Sequence, residues 1–251
     1  MERVFIFDVD GTLTGPRRYM HEDFARFFRT VVASETVYLV SGSDMPKLED
    51  QLPVWLLQSV AGVFACSGNE FWQGGNIVFQ MNHAFPDELI ELAEAIIAKS
   101  AYSTRTGNHC EVRTGALNIS VVGRNANPIQ RNDYERYDQE VGERKEMIAE
   151  IEKAFSDYEA NSGGQISIDV SPKGWNKSRV QTEVRSWHPD AVMHFFGDNI
   201  FEGGNDLPLA EAIQQDSSAN QIYPVSDHYD TWRILQDEFV LAKPKDSDQV
   251  A

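Results

Sequence analysis

The chain has 251 residues, 41% of them apolar and 24% charged, the proportions of a folded protein able to bury one large core or two modest ones. Its 39 acidic residues outnumber 22 basic ones, for a formal net charge of -17. Such a surface repels phosphate backbones and anionic lipid, which argues against nucleic acid and membrane as partners; an anionic substrate would need a local basic cluster.

Residues 3–9 are a short apolar run that ends in acidic residues and Gly11, the pattern of a buried parallel strand followed by a turn. Phe24, Phe27, Phe28, Val31 and Val32 then recur at helical spacing. Residues 36–40 predict a second buried strand, closed by Ser41-Gly42-Ser43-Asp44, and residues 45–52 a short helix. A third strand over 60–66 and a hairpin over 70–81, with Gly74-Gly75-Asn76 in its middle, follow. From there the pattern changes: an amphipathic helix over 86–99, two strands over 110–122 joined at Gly115, a long charged helix over 134–158 and a half-exposed strand over 165–170. After Pro172 and Gly174 the α/β rhythm returns, with a helix near 177–187, a strand over 191–196, a loop over 197–206, a helix, a strand over 221–225 and a last helix. The expected fold is α/β: a doubly wound, mostly parallel sheet made by residues 1–81 and 172–251, with residues 82–171 inserted as an α+β cap.

Cys66 and Cys110 are too few for a disulfide framework and lack metal-ligand spacing, and no leader or membrane-spanning run is visible, so a reducing, cytoplasmic location is expected.

The chemistry concentrates in four segments. Residues two apart on a strand face the same way, so Asp8 and Asp10 should project from the carboxyl end of the first strand, where open α/β sheets bind ligands. Paired carboxylates repel unless a proton or a cation relieves them, and Mg²⁺ favours carboxylates together with phosphate oxygens. Asp8 is then a candidate nucleophile toward phosphorus and Asp10 a candidate acid and base; the blander reading is a turn with helix-cap chemistry. Ser41, Gly42 and Ser43 open a helix and are candidates for holding a phosphate, or simply an N-cap. Asp198 and Asp206 flank a loop that Gly203 and Gly204 allow to bend, and are candidates to complete an oxygen-ligand metal site. Lys177 is a candidate positive charge for the phosphate, against the ordinary reading of a solvated lysine at a helix start.

These four segments, in this order, resemble the haloacid dehalogenase-like superfamily. More narrowly, FDVDGTLTGPR, EVRTGALNISVVGR and ISIDVSPKGWNK leading to FFGDNIFEGGND make the chain similar to eukaryotic-type phosphomannomutases over most of its length. The resemblance implies Asp8 as nucleophile, Asp10 as acid/base, and Mg²⁺ on Asp8, Asp198 and the Asp10 carbonyl. It also implies a substrate-binding set of Arg17, Arg113, Arg124, Arg131, Ser167 and Asp169, which supplies the basic cluster that the net charge requires. The implied activity interconverts mannose 1-phosphate and mannose 6-phosphate, with glucose phosphates as further substrates, through a phosphoryl-aspartate and a hexose 1,6-bisphosphate that also serves as activator. A homodimer through the cap is implied too, for which the apolar side of the helix over 86–99 is available. Several guanidinium groups suit a second phosphate, as a mutase needs. Ser41 stands where the family usually has glycine and residues 65–70 depart from its pattern, which keeps open a magnesium-dependent sugar-phosphate phosphatase of the same superfamily; a non-catalytic sugar-phosphate binder is the third reading.

Overall fold

The computed structural model describes residues 2–16 and 18–239. It opens with β1 (Arg3–Asp8), α1 (Glu22–Ser34), β2 (Thr36–Val40), α2 (Met45–Gln51), α3 (Val54–Ser59), β3 (Gly62–Ala65), β4 (Glu70–Gln73) and β5 (Asn76–Gln80). The middle of the chain forms α4 (Asp87–Lys99), β6 (Cys110–Arg113), β7 (Ala116–Ile119), α5 (Pro128–Val141), α6 (Glu143–Ala154), β8 (Tyr158–Gly163) and β9 (Ser167–Pro172). It closes with α7 (Arg179–Trp187), β10 (Val192–Gly197), α8 (Leu207–Asp216), β11 (Gln221–Pro224) and α9 (His228–Glu238).

Two sheets result. The larger has the order β11-β10-β1-β2-β3-β4-β5, parallel from β11 to β3 and antiparallel beyond. Its central strand β1 is almost wholly apolar because both faces are covered. Phe5 and Phe7 pack with Phe28, Leu48 and Leu235 on one side, while Val4 and Ile6 pack with Val184, Leu209 and Ile213 on the other. The expected doubly wound and mostly parallel sheet is what the topology has.

The second sheet is antiparallel, in the order β6-β7-β9-β8. Alternation divides it cleanly. Leu117, Ile119, Ile168, Val170 and Ala160 point into a core shared with Leu89, Ile97, Met147 and Ile151. The opposite face carries Glu111, Asn118, Asp169 and Asn161, which the pairing register sets side by side across all four strands.

Three expectations need correction. The long helix over 134–158 is two helices, α5 and α6, because Gly142 takes the left-handed conformation at φ 72 and ends the first of them. Its final residues are not helical: Tyr158 begins β8, a strand whose polar sequence YEANSG hides it from a hydrophobicity pattern. Finally, the apolar side of α4 is not free for a second subunit, since Leu89, Ala93, Ile96 and Ile97 are buried in the chain's own core and Ile90 and Leu92 pack against it.

Candidate active site

The tip of β1 gathers the acidic residues. Asp8 is buried, and beyond it the Val9 carbonyl accepts from the backbone N–H groups of Thr12, Leu13 and Thr14, folding the chain into a tight loop. Gly11 holds φ 89 in that loop, and a Cβ there would lie 2.2 Å from Asp198 Oδ2, so both the backbone angle and the space call for glycine. Asp198 arrives from the end of the neighbouring β10, and Asp206 from the loop that follows it. Among the described residues, Asp8, Asp198 and Asp206 form a group in which one carboxylate oxygen of each lies within 4.8 Å of the others.

One cation stands inside this group. Lys177 is 1% exposed, and its ammonium donates to Asp8 Oδ1 at 2.6 Å and to Asp206 Oδ1 at 2.7 Å. A solvated lysine is thereby ruled out. Asp206 is fully used: its other oxygen accepts from the Asn199 backbone N–H at 3.1 Å, which pins the loop. Asp8 Oδ2, by contrast, is buried with no hydrogen-bond partner among the described residues. Burial first, then the charge of Asp206, pushes the Asp8 carboxyl well up, and Lys177 only partly offsets this. The same two causes push Asp198 up to about 6. Three carboxylates around a single ammonium leave an excess of negative charge and one unpaired oxygen, which is the donor set a divalent, oxygen-seeking cation fits.

Asp10 lies outside this group of side chains. Its carboxylate accepts from Gln51 Nε2 at 2.8 Å and from Ser43 Oγ at 3.4 Å, so it is held from α2 and from the loop before it. Ser41 is 1% exposed and its hydroxyl oxygen accepts from the Ser43 backbone N–H, whereas Gly42 reaches the surface of the adjoining cleft.

The second sheet supplies the far wall of that cleft. Arg113 and Asp169 line it together with Gly42, Asn69, Lys177 and Asn205. Arg124 donates to Ser167 Oγ at 3.1 Å, and Asn118 donates to Asp169 Oδ1 at 2.5 Å. Arg131 braces this region from α5 through the carbonyls of Ala126 and Arg124. Arg17 lies outside the described residues. The cavity between the walls is about 50 Å³ and is bridged by Thr114 to Glu70 at 2.5 Å and by Asn176 to Glu159 at 2.6 Å.

Residues 24–241 match the family described as eukaryotic phosphomannomutase. A phosphomannomutase of Arabidopsis thaliana is 34% identical over 83% of this chain and 87% of its own length, and one of Dendrobium officinale is 32% identical over 83% and 85%. This chain belongs to the eukaryotic phosphomannomutase family. Solved structures similar to this family member include an IMP-bound IMP-nucleotidase of Plasmodium falciparum, at TM-score 0.65 and 14% identity, covering 96% of this chain and 68% of that one. The C-terminal domain of a trehalose-6-phosphate phosphatase from C. albicans follows at TM-score 0.60 and 20% identity, covering 85% and 74%. At such identities the likeness of this phosphomannomutase-family chain to those structures concerns the fold alone.

Sequence reasoning passed over Gln51, Asn69, Glu70, Glu111 and Asn118. The alternation of polar residues in Ala116–Ile119 and Ser167–Pro172 was a usable signal for Asn118, because it gives Asn118 and Asp169 a common face once the two strands pair. Gln51 and Asn69 carry no such pattern; only the tertiary fold brings them to the site.

Proposed function

We propose that this protein is a phosphomannomutase that moves a phosphoryl group between the two ends of mannose phosphate by way of Asp8. The observation that carries this reading is the pairing of two walls: an acidic cluster with one unpaired, buried carboxylate oxygen faces a sheet that presents arginines. A phosphatase needs to hold a single phosphate, whereas a mutase must hold a second one far from the nucleophile, and guanidinium groups grip phosphate oxygens in pairs.

Asp8 and Asp198 would hold Mg²⁺, with Asp206 behind them and the Asp10 carbonyl as a further ligand. The ion would neutralise the carboxylates and the charge that gathers on the transferring phosphoryl group. Asp8 attacks phosphorus and becomes the mixed anhydride. Asp10 gives its proton to the departing sugar oxygen, and in the reverse transfer takes the proton of the accepting sugar hydroxyl. Gln51 and Ser43 hold Asp10 while its charge changes. Lys177 keeps Asp8 oriented and offsets part of the negative charge around it. Gly42 offers backbone at the phosphate, with Ser41 and Ser43 shaping the loop. On the far wall Arg113, Arg124 and Arg131 receive the second phosphate, and Ser167 and Asp169 the sugar hydroxyls, while Arg17 is assigned to the substrate by the family resemblance alone. A hexose 1,6-bisphosphate primes Asp8.

Residues 82–171 act as a cap that opens and closes. Ligand cavities for molecules of this size run from about 300 Å³ upward, so the cleft as it stands is closed and must part before a sugar phosphate can enter. Closure keeps water from the phosphoryl-aspartate, which separates transfer from hydrolysis. Among the described residues no helix is long and apolar enough to cross a membrane, and both cysteines are free thiols, which accords with a cytoplasmic location. A homodimer through the cap remains part of the proposal, on surfaces other than the apolar side of α4.

The test supplies mannose 1-phosphate, Mg²⁺ and a catalytic amount of hexose 1,6-bisphosphate and measures mannose 6-phosphate and free phosphate together. Mannose 6-phosphate with little free phosphate is expected, and Asp8→Asn should abolish it without unfolding the protein. Free phosphate as the main product would make the chain a sugar-phosphate phosphatase, and neither product would make it a binder.

A further inference from the structure

Glu111 stands among the arginines of the cleft's far wall, and the proposed reaction gives it no part. It begins the row of Glu111, Asn118, Asp169 and Asn161 across the second sheet. Its Oε2 accepts from Arg113 Nε at 2.8 Å and again from Arg113 Nη2, and lies 3.4 Å from Arg124 Nε. A single carboxylate oxygen thus joins two guanidinium groups, each 15% exposed, whose charges would otherwise repel at close range. Lys47, on α2, adds to the positive field. Burial and then Arg113 push its ammonium down, Asp44 partly offsets them, and Arg124 adds to the lowering. The field acts on Glu111 in turn: partial burial pushes its carboxyl up, but Arg113, Arg124 and Lys47 together outweigh burial and hold it below the ordinary carboxylate range. An anion therefore already occupies a place that cations from both parts of the molecule surround.

We infer that Glu111 is a resident substitute for the far phosphate of the substrate, holding Arg113 and Arg124 together in the free protein and giving them up when a phosphoryl group arrives. The inference rests on the proposal that these arginines receive that phosphate. A phosphate brings three oxygens and more charge than a carboxylate, and its geometry matches the guanidinium fork, so it displaces a partner that offers the two arginines one shared oxygen. Glu111 has somewhere to go, since its side chain is 41% exposed. Its competition weakens the grip on substrate and, by the same measure, speeds release. Glu111 is in this sense an affinity-setting residue, and it takes no part in bond making.

Glu111→Gln keeps the shape and removes the charge. Titrated with mannose 6-phosphate in magnesium-free buffer, the variant should bind roughly fivefold more tightly than the parent protein, the scale of a modest ion pair converted to a ratio of dissociation constants. In the mutase assay KM should fall with it while kcat does not rise. Unchanged or weaker binding by a folded variant overturns the inference, and Glu111→Ala provides the same reading should the Gln variant fail to fold. Arg124→Ala, titrated alongside, separates the two levels of the argument. If it weakens binding while Glu111→Gln does not tighten it, only the role of Glu111 falls. If it leaves binding unchanged, the far-phosphate site falls and this inference with it.

Discussion

An ammonium buried between two carboxylates survives only because each charge is met, and Lys177 meets two at once, Asp8 at 2.6 Å and Asp206 at 2.7 Å. Lys177→Met should therefore abolish turnover and also destabilise the fold by about 3–5 kcal/mol, the scale for breaking a buried ion pair; urea unfolding in magnesium-free buffer measures it. Should stability hold while activity is lost, Lys177 would be a purely chemical residue and its structural part in the cluster would be wrong. The residue types at this site are legible in the sequence because strand ends and glycine-rich loops announce where an α/β sheet places its chemistry. What stays hidden is occupancy. Nothing in the neighbourhood of Lys177 along the chain says that it is buried, and nothing beside Glu111 says that its carboxylate lies between Arg113 of its own strand and Arg124 of the loop after β7.

At the scale of elements, strands covered on both faces and the helices that flank them are readable from apolar periodicity, as β1, β2 and α1 are. Elements whose composition is polar are not. β8 pairs along its whole length with β9, and that partner, rather than its own sequence, makes it a strand. The division of α5 from α6 hangs on Gly142 alone. β10 also carries a histidine inside an aromatic stack: His194 lies 4.8 Å from the ring of Phe5 and near Tyr223. Burial, with a smaller effect from Arg3, pushes His194 down to about 4. Because the unfolded chain binds this proton at the ordinary value of about 6.5, the unfolded state takes up more protons as the pH falls below that value. The contribution is whole above about pH 6.5 and is lost progressively toward pH 4. Going from pH 7 to pH 5 should accordingly remove about 2 kcal/mol of stability through this residue. His194→Phe should flatten that part of the stability profile in urea titrations at the two pH values, and an unaltered slope would mean that other groups carry it.

For the molecule as a whole, two sheets with separate cores meet over one cleft, and the acidic group beneath that cleft holds more negative charge than Lys177 balances. A divalent cation that binds this group binds the folded state alone, since the unfolded chain scatters Asp8, Asp198 and Asp206. Adding Mg²⁺ at about a hundred times its dissociation constant should stabilise the protein by roughly 2.7 kcal/mol and raise Tm by several degrees. Differential scanning calorimetry with and without Mg²⁺ measures the shift, and Asp198→Asn should remove most of it. A Tm indifferent to Mg²⁺ in the parent protein would mean that the cluster is structural. The general arrangement was readable from the change of rhythm along the chain, from alternating α/β to antiparallel strands and back. The narrowness of the cleft was not, because it depends on contacts such as that of Thr114, in the turn between β6 and β7, with Glu70 on β4.

The register of β1 also bears on how the molecule is assembled. Arg3 pairs with Val192, so the strand that ends in Asp8 lacks one of its two neighbours until most of the chain has left the ribosome. The smaller sheet draws all four of its strands from one continuous stretch, Cys110 to Pro172, and can be completed first. During synthesis the wall of the cleft that carries the arginines is then built before the acidic group that faces it, because Asp198 and Asp206 come only with and after β10.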